Sequence, residues 1–144
     1  MSHGLHSLCR RILLVTACLT GTRTFAQYEG LVINEFLANP RNASGVYVDA
    51  NQDGATNVFD DEFIELVNTS TNPVDVAGMW LTDANTNIRR HVFSARILPP
   101  GGGLVVFGGG SVLDFPHPPA QIATGGGLSL NNNEAEVLSL FSPQ

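Results

Sequence analysis

The stretch "VDANQDGATNVFDDEFIELVN", residues 48–68, gathers six acidic side chains and three asparagines in a chain without a single lysine. Counted from Asp49, side-chain oxygens fall at the first, third, fifth, ninth and twelfth places, as Asp49, Asn51, Asp53, Asn57 and Asp60, with Gly54 at the sixth. Three kinds of chemistry use such a pattern. Converging oxygens suit a hard cation: Ca²⁺ takes about six to eight of them at about 2.3–2.6 Å, and a chain wrapping it needs a sharp turn, which glycine permits. Paired carboxylates can instead serve a glycosidase or a metal hydrolase; Asp61, Glu62 and Glu65 are candidates, with Glu35 further up the chain. Asp, Asn and Gly are also plain turn residues, because their side chains cap backbone groups and tolerate left-handed conformations. No thiolate or imidazole lies close in sequence, so zinc and copper fit poorly.

The elements that must position these residues read as strands. "LVINEFLA" (31–38), "EFIELVN" (62–68), "VDVAGMWLTD" (74–83), "RHVF" (90–93), "GLVVFGG" (103–109), "LSL" (128–130) and "AEVLSLF" (135–141) are short, rich in Val, Ile, Leu and Phe, and bounded by turn residues. In "FIELV", Phe63, Glu65 and Val67 oppose Ile64 and Leu66; in "AEVLSLF", Val137, Ser139 and Phe141 oppose Leu138 and Leu140. No segment after residue 27 keeps a helical period, so the fold is expected to be all-β, a sandwich or barrel. The acidic stretch lies between "GVYV" and "EFIEL", both read as strands. The glycine runs at 101–103, 108–110 and 125–127 precede no helix and have no lysine beside them, so they read as turns and strand ends rather than a phosphate cradle. "DFPHPPAQ" (114–121) is a proline-rich connector unfit for a central strand.

The first 26 of the 144 residues run from two arginines, Arg10 and Arg11, through the apolar "ILLVTACLT" to small residues, the order of a secretory signal peptide cleaved after Ala26. That apolar run is far shorter than the ~20 residues of a membrane span. The alternative is a lipoprotein signal ending at Cys18, which would then carry the lipid. Both cysteines, Cys9 and Cys18, lie in this leader, leaving residues 27–144 as one domain without disulfides or thiolate ligands. Leader removal leaves four arginines against thirteen acids, a net charge of −9. Such a surface repels phosphate backbones and anionic lipid, so neither nucleic acid nor a membrane is expected as a partner of this domain.

Four consecutive pieces resemble the lamin-tail domain, an immunoglobulin-like β-sandwich found in nuclear lamins and, in bacteria, within secreted multidomain proteins. "LVINEFLANP" looks like its opening strand. "DEFIELVNTSTNPVDVAGMWLTD" looks like its central signature, with Gly78, Trp80, Leu81 and Asp83. "ILPPGGGLVVF" and "LSLNNNEAEVLSLFSPQ" look like its later strand and hairpin. The resemblance covers about residues 30–144 and implies a binding or scaffolding module, with Trp80 in the buried middle of the sandwich. The family normally continues with a further turn and strand, so the chain is expected to be a fragment lacking its last strand. The acidic insert is a second departure from the lamin form, although secreted bacterial members often carry inserts there.

The insert's spacing is similar to an EF-hand calcium loop, and most of all to the loops of dockerin modules, which also favour Asp at the twelfth place. That similarity implies a metal set of Asp49, Asn51, Asp53, Ala55 through its carbonyl, Asn57 directly or through water, and Asp60 closing the shell. Because strands rather than helices flank it, a structural calcium loop inserted between strands is expected, without the opening of a groove.

An enzyme fits less well. A sandwich of this size offers little room for a deep catalytic cleft. His91 and His117 sit in no nucleophile motif, the serines lack a G-x-S-x-G setting, and Arg89 and Arg90 read as solvated strand ends. The expected role is a secreted, non-catalytic module that binds or scaffolds other domains of its own polypeptide and an extracellular or cell-surface protein or glycan. The alternatives are a piece of a secreted hydrolase or nuclease whose catalytic domain lies elsewhere, or a carbohydrate or cell-surface adhesion module.

Overall fold

The computed structural model describes residues 28–84, 87–132 and 135–143; the expected leader and both cysteines lie outside them. Nine strands follow one another with no helix among the described residues: β1 (Leu31–Leu37), β2 (Phe63–Asn68), β3 (Val74–Asp75), β4 (Trp80–Thr82), β5 (His91–Val92), β6 (Ile97–Leu98), β7 (Gly103–Phe107), β8 (Ala120–Ile122) and β9 (Ser139–Phe141). They form a four-stranded sheet in the order β1-β2-β7-β8, a three-stranded sheet β5-β4-β9, and a two-stranded pair β3-β6. The sheets do not close into a barrel, and the arrangement is that of an immunoglobulin-like sandwich.

Strict alternation in β2 makes it the organising strand. Ile64 and Leu66 are buried, while Phe63, Glu65 and Val67 on the other face are half-buried. Antiparallel pairing sets Leu66 opposite Ile33 of β1 and Leu104 of β7, so their side chains share the inner face. Leu81 from β4, Phe93 beyond β5, and Leu128, Leu130 and Leu138 from the C-terminal segment complete one core. The register of β1 slips between Ile33 and Glu35, which makes Asn34 the bulged residue, and its Nδ2 donates to Glu65 Oε2 at 2.6 Å. Asn68, the last residue of β2, is fully buried: Nδ2 donates to the carbonyls of Asn72 and Leu98, and Oδ1 accepts from the N–H and hydroxyl of Ser70. One side chain thus ties the turn after β2 to β6.

Several expected strands come out differently. "VDVAGMWLTD" breaks at Gly78 (φ 72°) into β3 and β4, which belong to different sheets. "LSL" forms no ladder: Leu128 and Leu130 tuck into the core around Ser129 (φ 53°). "GVYV" contributes only an isolated bridge, Arg41 to Tyr47, in a turn where the Arg41 guanidinium stacks on the Tyr47 ring and donates to the Gly45 carbonyl at 2.7 Å. β8, at the end of the proline-rich connector, pairs parallel with β7 as an edge strand. Trp80 is buried, as expected, and packs beside the main apolar cluster rather than within it. Its ring stacks on Phe141 at 5.3 Å and carries the Arg89 guanidinium 4.2 Å from its centre. Leu81, next to it, is the residue that enters the core.

Candidate functional site

The acidic loop runs from Asp49 to the start of β2 and lies against the end of β7. Its side chains first organise its own backbone. The Asp53 N–H donates to Asp49 Oδ1 at 3.1 Å and to Asn51 Oδ1 at 3.0 Å, and the Gly54 N–H donates to Asp49 Oδ2 at 2.9 Å. Asp53 Oδ1 accepts the Ala55 N–H and Asn57 Oδ1 accepts the Phe59 N–H. Gln52 (φ 60°) and Gly54 (φ 91°) supply the two left-handed residues on which the chain turns. Asp49 and Asn51 therefore cluster about the amides of Asp53 and Gly54, and Asp53 caps the next amide, that of Ala55. Asp60 is held elsewhere: its Oδ2 accepts from Asn57 Nδ2 at 2.7 Å, and its Oδ1 rests over Gly109. Among the described residues no three His, Cys, Asp or Glu side chains gather as a metal-holding group. The Ala55 carbonyl, expected as a ligand, has no hydrogen bond to another described residue.

Two supports of this loop escape the sequence pattern. One is Asp61, fully buried just beyond the twelfth place. Its Oδ1 accepts the N–H groups of Ala50 (2.7 Å) and Asn51 (3.1 Å), and its Oδ2 accepts that of Asn57 (2.8 Å). The other is the glycine run Gly108–Gly110, which forms the bed of the loop. Asn51 Nδ2 donates to the Gly109 carbonyl at 3.2 Å, and the Ser111 N–H donates to Asp53 Oδ2 at 3.0 Å. A Cβ added to Gly108 would strike the Phe59 carbonyl, one on Gly109 the Asp60 carboxylate, and one on Gly110 the Asn51 and Asp53 side chains. The local reading as a strand end holds; what the glycines admit is the loop.

Glu62, Glu65, Asp83 and Glu136 serve the fold. Glu65 faces Glu35 across the β1–β2 pair and takes the Asn34 hydrogen bond. Glu62 is buried and accepts the Leu130 N–H at 3.2 Å, while Glu136, also buried, accepts those of Asn131 (2.6 Å) and Val137 (2.9 Å). Burial pushes the Glu62 carboxyl from 4.5 up to about 7; the Leu130 hydrogen bond opposes this, the nearby Glu136 adds to it and Arg90 offsets part. Arg90 itself grips Asp83 through Nε (2.9 Å) and a second nitrogen (2.6 Å), so it is not a free strand end.

His91 is buried on β5, edge-on to Phe93 at 4.6 Å, with its Nε2 2.9 Å from Gln121 Oε1. The same oxygen accepts the Ser94 N–H, so His91 Nε2 carries the proton, and its Nδ1 has no partner among the described residues. Burial lowers its pKa from 6.5, and the Gln121 bond opposes that shift. His117 is exposed in the connector.

Glu62 and His91 give stability opposite dependences on pH. Ionisation of Glu62 near 4.5 in the unfolded chain but only near about 7 in the fold means its contribution is complete below 4.5 and lost as the pH rises through 7, up to ~3 kcal/mol. His91 contributes above 6.5, and loses that contribution as the pH falls toward its lowered folded value. Glu62→Gln keeps an acceptor for Leu130 and removes the first dependence. The variant is expected to be more stable than the parent at pH 8, with the gain shrinking to nothing or reversing near pH 4.5, in urea titrations across that range.

Among the described residues no helix is long and apolar enough to cross a membrane. No curated protein and no solved structure matches the chain. The family model described as Lamin Tail Domain matches residues 24–144, and with an all-strand, immunoglobulin-like sandwich over the described residues, the chain belongs to the lamin tail domain family.

Proposed function

We propose that the chain is a secreted, non-catalytic module that binds or scaffolds within a larger extracellular protein, its acidic loop steadied by a calcium ion. The observation that carries the first part is the fate of the carboxylates. Asp61 is spent on three backbone amides, Glu62 and Glu136 on the C-terminal segment, Glu65 on Asn34 and Asp83 on Arg90. Family membership points the same way, and the signal-like order of residues 1–26 supports secretion. Turnover of any substrate in a panel of glycosides, esters, peptides and phosphodiesters would overturn this reading.

For the ion, the support is the donor chemistry: Asp49, Asn51, Asp53, the Ala55 carbonyl, Asn57 and Asp60 are hard oxygens at the spacing calcium favours, and Asp49, Asn51 and Asp53 already share one turn. Each carboxylate oxygen that accepts one N–H retains capacity for a cation. Filling the shell requires Asp60 to leave Asn57 and turn inward. Extracellular modules bind calcium with Kd of about 10⁻⁴–10⁻³ M, so millimolar calcium is expected to add on the order of 1–2 kcal/mol of stability. Titration calorimetry should give heat from Ca²⁺ and none from Mg²⁺. Silence for both at millimolar concentration would leave the loop as a self-capped turn.

A further inference from the structure

Away from the acidic loop, an open groove of about 590 Å³ runs between β6 and the residues that lead into β7 and β8. Its walls are mainly apolar: Ala95, Ile97 and Pro99 from the β6 side, Pro119 from the other, with Arg96 and Asp75 as its charged groups. Ile97 is 64% exposed, a large apolar side chain left open to water.

The backbone of β6 is also open on this side. β6 pairs only with β3, Val74 opposite Leu98 and Asp75 opposite Ile97, and the Val76 N–H donates to the Arg96 carbonyl at 2.9 Å. In an antiparallel ladder hydrogen-bonded and non-hydrogen-bonded pairs alternate, so Arg96 and Leu98 point their polar groups at β3, and Ile97 points its N–H and C=O outward. An outward donor and acceptor on one residue is the pattern that receives an added strand.

Charge narrows the occupant. Of the described arginines, Arg41 is locked in its own turn, Arg89 lies on Trp80 and Arg90 is paired with Asp83. Arg96 is exposed, and its guanidinium makes no hydrogen bond or ion pair with a described residue. Among the described residues of a lysine-free chain, the guanidinium with no carboxylate or ring partner stands beside the bare strand edge, while the groove's one acid, Asp75, accepts the Ala77 N–H. We infer that this groove binds an extended peptide segment of a partner protein, which pairs with Ile97 as an added strand, lays apolar side chains on Pro99 and Pro119, and presents an Asp or Glu to Arg96. The inference rests on the binding-module reading and is independent of the calcium loop.

Panning a phage-displayed library of random heptapeptides on the full chain tests it. The expected pool is rich in an acidic residue flanked by Val, Ile or Thr. A synthetic peptide from that pool, titrated by fluorescence polarisation, should bind about tenfold more weakly to Arg96→Gln, which removes a charge-assisted bond. Ile97→Pro removes an outward N–H but no ladder bond, so it should fold and also weaken binding, whereas Ile97→Val should stay within about twofold. The Ile97 amide resonance should shift on titration. Failure to enrich a pool, winners that are basic or uncharged, binding indifferent to Arg96→Gln and Ile97→Pro, or an Ile97 amide that moves only on self-association would each overturn it. A chain that takes up Ca²⁺ yet enriches no peptide overturns the groove alone, while substrate turnover overturns the module reading itself.

Discussion

Replacing Asp61 by alanine is expected to destabilise the fold by about 4 kcal/mol, because three N–H groups, one buried and two part-buried, lose their acceptor at once and a fully buried unpaired donor alone costs roughly 1–3 kcal/mol. Entry of water into the opened loop offsets part of that sum. A loss of this size is a large fraction of the ~5–15 kcal/mol that holds a domain together. Urea denaturation should show a lower midpoint with an unchanged slope. Asp61→Asn is expected to fall between, since its one oxygen can serve the Ala50 and Asn51 pair or Asn57 but not both, and its amide nitrogen then meets a donor. A cost below about 1 kcal/mol for Asp61→Ala, within the range of a surface change, would mean that the loop is held by other contacts.

Gly108→Ala is expected to be nearly as damaging, at about 3 kcal/mol, and for a different reason. The added methyl collides with a backbone carbonyl, that of Phe59, which cannot rotate aside as a side chain can. Gly108 also donates its N–H to the Glu62 carbonyl at 2.8 Å, so it cannot back away without loosening the start of β2. Gly45→Ala is the informative comparison. There φ is 77°, nothing lies near the added methyl, and the cost is only the left-handed backbone, about 1 kcal/mol. Thermal melts of the two variants separate collision from conformational strain; equal costs would refute the packed bed of the loop.

What the residues announce and what they conceal follows the range of the forces involved. The alternation in β2 is legible because a strand with one buried face must repeat every second residue, and Ile64 and Leu66 obey that rule. β6 and β8 were not legible: each is two or three residues long, β6 precedes two prolines, and β8 follows two. "LSL" carries a strand's alternation, yet its leucines are buried without a ladder, so periodicity reported burial and not hydrogen bonding. The loop's oxygen spacing is local and was readable, as was the need for Gly54. Asp61 was visible only as one more carboxylate, because nothing in its neighbours says that the chain folds back over it. The role of Gly108–Gly110 depends on a partner segment some fifty residues earlier, which only the strand pairing brings to it. Trp80 shows the opposite limit: its burial could be expected, but the groups that cover it, Phe141 and Arg89, could not.

The bed beneath the acidic loop bears on portability. Residues 49–60 excised as a peptide keep the Asp49, Asn51 and Asp53 ties to their own amides, but leave behind the Gly109 carbonyl, the Ser111 amide and the Asp61 carboxylate. The transplantable unit is therefore discontinuous, two stretches held in register by β2 and β7. A host scaffold must offer a glycine-lined strand terminus beside the graft if the loop is to keep its shape.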